Sequence, residues 1–206
     1  IPTEWLEAAK ELTLHYAHTS HGSQVLDGAT NLEDLDPTYA LSVRYASSMG
    51  LPDVTTPPAI RVWSGTIGTT YVTPDHYYNT ESGRTNTRTI AATGDYDFSM
   101  WSFCGQMSSM SLADVQFYLD TMLDFEDSYP NMRFILMTGH TDGSGINGTL
   151  NQNNEMVRQF AIANDMICFD FADIESWNPD GDEFLSQGCE DDGDYDDGNW
   201  CDEWCA

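Results

Sequence analysis

Residues 132–143 read MRFILMTGHTDG. The run 132–138 is apolar almost throughout and shows neither helical nor alternating periodicity, which fits a strand covered on both faces. It breaks off into a polar Gly-His-Thr-Asp-Gly segment. Working upstream, Leu112, Val115, Leu119, Met122 and Leu123 recur at helical spacing behind Ser111, a good N-cap, and Tyr129-Pro130 follows the helix end. Downstream, Met156, Val157 and Phe160 mark a helix over 151–164, and MICFDF (166–171) is the next strand. Strand, helix, strand in this order means βαβ units and a mainly parallel sheet.

The N-terminal half extends the pattern. Residues 3–11 read as a helix with Thr3 as N-cap, 12–18 (LTLHYAH) as a strand, and 37–48 as a helix with Pro37 in its first turn. AIRVW (59–63) and YDFSMWSF (96–103) are further strands. Residues 64–94, rich in Gly, Thr, Asn and Tyr, read as long loops with one helical turn near 85–92.

In such sheets ligands bind outside the carboxyl ends of the strands. Here those ends run into His18-Thr19-Ser20-His21-Gly22-Ser23, Ser102-Phe103-Cys104-Gly105-Gln106, His140-Thr141-Asp142 and Asp170-Phe171-Ala172-Asp173. Four of the five histidines lie in or beside these clusters, His76 being the exception. Ser20 and Ser23 also suit plain helix capping.

The His-x-Ser-x-Gly setting of Ser20, together with WSFCGQ, MTGHTDG and DFADIESWNPDG, resembles the SGNH (GDSL-type) hydrolases, specifically a secreted branch with HxSxG in place of GDS. The resemblance spans about residues 12–182. It implies a three-layer, flavodoxin-like α/β fold with helices on both faces of the sheet. It also implies ester hydrolysis, often of acyl groups on carbohydrate, with no catalytic cofactor. Carried over by residue, Ser20 is the nucleophile, its own N–H and Gly22 help hold the oxyanion, and Gln106 stands where the family places an Asn. The family's late Asp-x-x-His block is missing: no histidine follows His140. A serine needs a neighbouring base. That base is His18, His21 or His140, oriented by Asp173, or the chain stops short of it, or the site is inactive.

Charge narrows the partners. Thirty-four acidic residues against seven basic ones give a net charge of −27. Such a surface repels nucleic acid and attracts cations. No apolar run reaches the roughly 20 residues that span a bilayer. The start at Ile1 fits a mature secreted product, and the five cysteines fit disulfides in an oxidising compartment.

From residue 178 the composition turns to Asp, Gly and Cys, so 1–177 reads as the α/β domain and 178–206 as an acidic appendage. Asp180 and Asp182, like Asp192, Asp194 and Asp196, alternate as calcium ligands do, with Cys189, Cys201 and Cys205 as disulfide clamps. The odd cysteine or the extension offers a route to self-assembly. Asn147-Gly148-Thr149 is a glycosylation sequon. Besides a secreted esterase, two other readings fit. One is a non-catalytic extracellular surface-layer, adhesive or filament protein on the same scaffold. The other is a carbohydrate-binding module using Trp63, Tyr71, Tyr77 and Tyr78 as stacking surfaces.

Overall fold

The computed structural model describes residues 1–205. Its main sheet has strands β1 (Thr13–His18), β2 (Leu41–Tyr45), β3 (Ile60–Ser64), β4 (Phe98–Ser102), β5 (Arg133–Met137) and β6 (Cys168–Phe169), in the order β2-β3-β1-β4-β5-β6. All five pairings are parallel. Setting aside the edge strand β2, the remaining order is that of a doubly wound flavodoxin-like sheet. The direction of winding reverses between β1 and β4, where His18 is in register with Ser102.

Helices occupy the connections: α1 (Thr3–Ala9), α2 (Ser20–Leu35), α3 (Pro74–Tyr77), α4 (Glu81–Ala91), α5 (Leu112–Ser128), α6 (Thr149–Asn164), α7 (Phe171–Ser176) and α8 (Trp200–Cys205). A short antiparallel pair, β7 (Asp194–Tyr195) and β8 (Gly198–Asn199), lies near the C-terminus. Among the described residues, no helix is long and apolar enough to cross a membrane.

The chain forms two compact units, Ile1–Ser102 with Thr121–Ile135, and Phe103–Asp120 with Leu136 to the C-terminus. The boundary read at 177/178 does not coincide with either: residues 178–205 belong to the second unit.

The first unit buries Trp63, Trp101, Tyr16, Tyr77, Ile90, Phe125 and Phe134. Within it His15 is wholly enclosed, with its ring 4.9 Å from that of Trp63 and 5.8 Å from that of Tyr77. Its Nε2 is 2.9 Å from the Gly65 carbonyl, so Nε2 carries the proton and donates. Nδ1 therefore accepts from the Ser99 hydroxyl at 2.8 Å, and Ser99 Oγ accepts from Tyr77 O–H at 2.6 Å. Every polar atom of this buried chain has a partner, as a low-dielectric interior requires.

Four local readings need correction. Residues 37–48 are not a helix: Pro37 starts one 3-10 turn (Pro37–Tyr39), with Asp36 accepting from Thr38 N–H, and β2 follows. The reason is visible in Leu41-Ser42-Val43-Arg44-Tyr45, whose strict alternation fits a strand and pairs register by register with β3. Residues 64–94 hold two helices rather than one turn. Thr80 caps α4 by accepting from Gly83 N–H at 3.1 Å. Gly83 is there because a Cβ would collide with the Asp75 carbonyl. The last strand is only Cys168–Phe169, because Asp170 accepts from Asp173 N–H at 3.3 Å and starts α7. At the other end Pro2, not Thr3, holds the N-cap position of α1.

The Ser111 cap is as expected, reciprocal with Asp114. Trp63, Tyr77 and Tyr78 are core residues at 0%, 0% and 3% exposure, and of the four aromatics proposed for sugar stacking only Tyr71 is exposed. The carbohydrate-binding reading loses its surface with them.

The second unit packs Phe103, Met107, Tyr118, Leu119, Leu136, Met137 and Val157. Gly139 sits between elements: a Cβ there would come 2.6 Å from Met107 Cβ and 2.9 Å from Leu150 Cδ1. Gly139→Ala is expected to lower stability by about 1–3 kcal/mol through overpacking, measurable as a lowered urea midpoint at unchanged m-value.

The extension has a small core of its own in this unit. Phe184 packs against the rings of Tyr195 and Trp200 at 4.9 and 6.1 Å, Cys189 is buried, and Trp200 Nε1–H donates to the Glu175 carbonyl at 2.9 Å.

Candidate functional site

In the first unit the carboxyl end of β1 hands directly to α2. Ser20 is the first residue of that helix and is exposed, while Thr19 before it is buried with its Oγ1 unpartnered. The first-turn N–H groups of a helix have no intrahelical acceptor, and the helix dipole adds partial positive charge there. Gly22 is buried one turn in and its N–H returns to the Thr19 carbonyl at 3.1 Å. A side chain at Gly22 would run into the imidazole of His18. Tyr16 O–H donates to the Gly22 carbonyl at 2.9 Å, tying helix start to strand.

His18 is only 8% exposed. Its Nδ1–H donates to the Thr19 carbonyl at 2.8 Å, so Nε2 must accept, and it accepts from Ser64 O–H at 2.9 Å. Burial lowers its pKa. Ser64–His18 is thus a second Ser–His bond of this unit beside Ser99–His15, with Ser64 fully buried. His21, half-buried, follows Ser20 in the first turn of α2. Nothing in the sequence singled out Ser64; it stands at the end of β3, and only the β1–β3 pairing sets it beside His18.

In the second unit the end of β5 is clamped from three sides. Asn154 on α6 accepts from Gly139 N–H at 2.8 Å and donates to its carbonyl at 3.2 Å. Thr141 N–H and O–H donate to the buried Glu175 carboxylate at 2.7 and 3.2 Å. Asp170 binds Arg158 Nε and Nη2 at 2.6 and 2.8 Å and accepts from Thr138 O–H at 3.1 Å. His140 is buried, and its Nδ1–H donates to the Thr141 carbonyl at 2.7 Å. Partial burial raises the pKa of neighbouring Asp142, but hydrogen bonds from Ser144 and Ser108 hold the carboxyl below the usual range.

Gln106 is half-buried and its Oε1 accepts from Cys104 N–H at 2.6 Å. Asn153 on α6 pins the same loop by donating to the Met107 and Met110 carbonyls. Asp173 is exposed and lines an open cleft of about 470 Å³ with Asn151, Glu155, Arg158, Trp177 and Glu183. It does not orient His18 or His140 through Nδ1: those N–H groups go to backbone carbonyls.

In the extension, Asp192 accepts from Asp194 N–H, Asn199 donates to Asp194 at 2.7 Å, and Asn178 donates to Asp182. Among the described residues, Asp180, Asp182, Asp192, Asp194 and Asp196 bring no three carboxylate oxygens within 4.8 Å of one another. Calcium there would have to gather its ligands. Cys189, Cys201 and Cys205 are thiols, as are Cys104 and Cys168. Asn147 is exposed.

Compared with protein-family models, curated proteins and solved structures, the chain matches none.

Proposed function

We propose that the chain is an SGNH-like α/β hydrolase that cleaves small esters, acylated carbohydrate among them, with Ser20 as nucleophile. One observation carries this reading: Ser20 stands exposed at the start of a 16-residue helix, directly after the strand where the parallel sheet reverses its winding. That is where doubly wound folds place their ligands. First-turn N–H groups, those of Ser20 and His21, are suited to a developing oxyanion.

Of the two imidazoles flanking Ser20, His18 has both nitrogens committed, to Thr19 and Ser64. In this proposal the role of base falls to His21, in the first turn of α2. The exposed sequon at Asn147 and the net charge of −27 support an extracellular setting.

Labelling with a fluorophosphonate probe tests the reading. The wild-type chain is expected to label on the peptide containing Ser20, and Ser20→Ala to abolish that label. His21→Gln is expected to slow labelling by about a hundredfold, the usual scale for losing a general base. A wild-type chain that does not label at all removes the hydrolase. The second reading then holds, a non-catalytic extracellular scaffold. It is favoured by the enclosure of the Ser64–His18 pair inside the first unit.

A further inference from the structure

We propose that Cys104 and His140 form a second nucleophilic centre, a thiol–imidazole pair in the second unit that accepts acyl groups from activated esters. Its chemistry does not use the Ser20 hydroxyl. Cys104 Sγ and a ring nitrogen of His140 lie within 4.8 Å of each other. The tautomer of the imidazole follows from its neighbour: the Thr141 carbonyl can only accept, so Nδ1 holds the ring proton and Nε2 keeps its lone pair. A general base needs that arrangement.

The pair is held on a rigid frame. Thr141, whose carbonyl orients the ring, is itself bound through N–H and O–H to Glu175. Cys104 is fixed through its N–H by Gln106. Between them in sequence, Gly105 presents no side chain, and even a Cβ there would lie 4.0 Å from His140 Nε2. Space for a methyl-sized group is thus open beside Nε2. Cys104 is half-buried and so within reach of reagents. Other thiols are poorer nucleophiles, since burial pushes Cys168 up to about 11 and raises Cys189 and Cys201 as well.

In the reaction, His140 Nε2 takes the thiol proton as Cys104 Sγ adds to the ester carbonyl carbon. The C–S bond forms, the C–O bond breaks, and the alkoxide leaves with the proton returned by the imidazolium. Water then attacks the thioester, releasing a carboxylic acid and restoring the thiol. The sum is ester plus water to acid plus alcohol.

The test uses the full chain with p-nitrophenyl acetate, followed by peptide mass analysis, and with iodoacetamide in parallel. The acetyl adduct is expected on the Cys104 peptide and to be absent in Cys104→Ser. Cys104 is expected to alkylate at least about tenfold faster than the exposed Cys205, an internal standard lacking this base. His140→Asn keeps a donor for the Thr141 carbonyl but has no base, and is expected to remove that advantage. Ser20→Ala should leave the Cys104 adduct unchanged, so failure of the Ser20 reading and failure of this one are separately visible. Cys104 reacting no faster than Cys205 in the wild type, or unaltered Cys104 reactivity in a folded His140→Asn chain, would overturn the proposal.

Discussion

Acidification from pH 6.5 to pH 4 is expected to cost the fold roughly 3 kcal/mol through His15 alone. Burial lowers the pKa of this imidazole from 6.5 to about 4, against a smaller opposing effect of its bond to the Gly65 carbonyl. The folded chain holds His15 neutral, whereas the unfolded chain protonates it below about 6.5. In that window the unfolded state binds the extra proton, so stability falls as pH falls, and the loss is complete near pH 4. The size follows from a depression of about 2.5 pH units at about 1.4 kcal/mol each.

Protonation also breaks the directional chain. Nδ1 would become a donor facing Ser99, whose Oγ already accepts from Tyr77. Urea unfolding across this range, comparing wild type with His15→Gln, isolates the contribution from that of the carboxylates. The wild-type curve should be steeper by roughly 3 kcal/mol over the window. Parallel curves would show that His15 is not the acid-sensitive group.

The second large effect belongs to Arg158. Its guanidinium forks onto Asp170 and also bonds Glu155 at 2.6 Å. Both partners of the fork are mostly covered, with 20% and 29% side-chain exposure. Burial raises the Asp170 carboxyl, but Arg158, Asp173 N–H and Thr138 more than reverse this and hold it below the usual range. Asp170 also starts α7 and steadies the end of β5, so its charge is coupled to both elements.

Arg158→Met keeps the aliphatic stem but strands that carboxylate. A loss of about 2–3 kcal/mol is expected, below the 3–5 typical of a fully buried pair because some solvent reaches this one. In Arg158→Met/Asp170→Asn the loss should be smaller than the sum of the two single changes, a coupling that a double-mutant cycle reads directly. Strictly additive losses would show that the fork contributes little.

The parallel sheet was legible because its strands and helices carry different periods. MRFILMT and AIRVW are nearly continuous apolar runs, LTLHYAH alternates over 12–16, and Leu112 to Leu123 repeats at 3.6. Where local signals conflicted, the reading failed. Pro37 suggested a helix start, yet 41–45 alternates and finds a partner in β3. α4, with the sequence ESGRTNTRTIA, is too polar to announce itself; it is held by the Thr80 cap and a glycine-tight approach to Asp75.

The chain's order of residues was enough to determine the α/β class, the polar character of the strand ends, and an acidic composition. Those properties depend on neighbours a few positions apart, or on composition summed along the chain. Only tertiary structure decided what each polar side chain at those ends does. Whether His18 is a base or a spent partner depends on Ser64, 46 residues away. Which His140 nitrogen holds its proton depends on the carbonyl beside it, and the setting of Thr141 depends on Glu175, 34 residues on. A hydrogen bond takes its partner from whatever the fold brings within about 3 Å, and sequence spacing does not encode that distance.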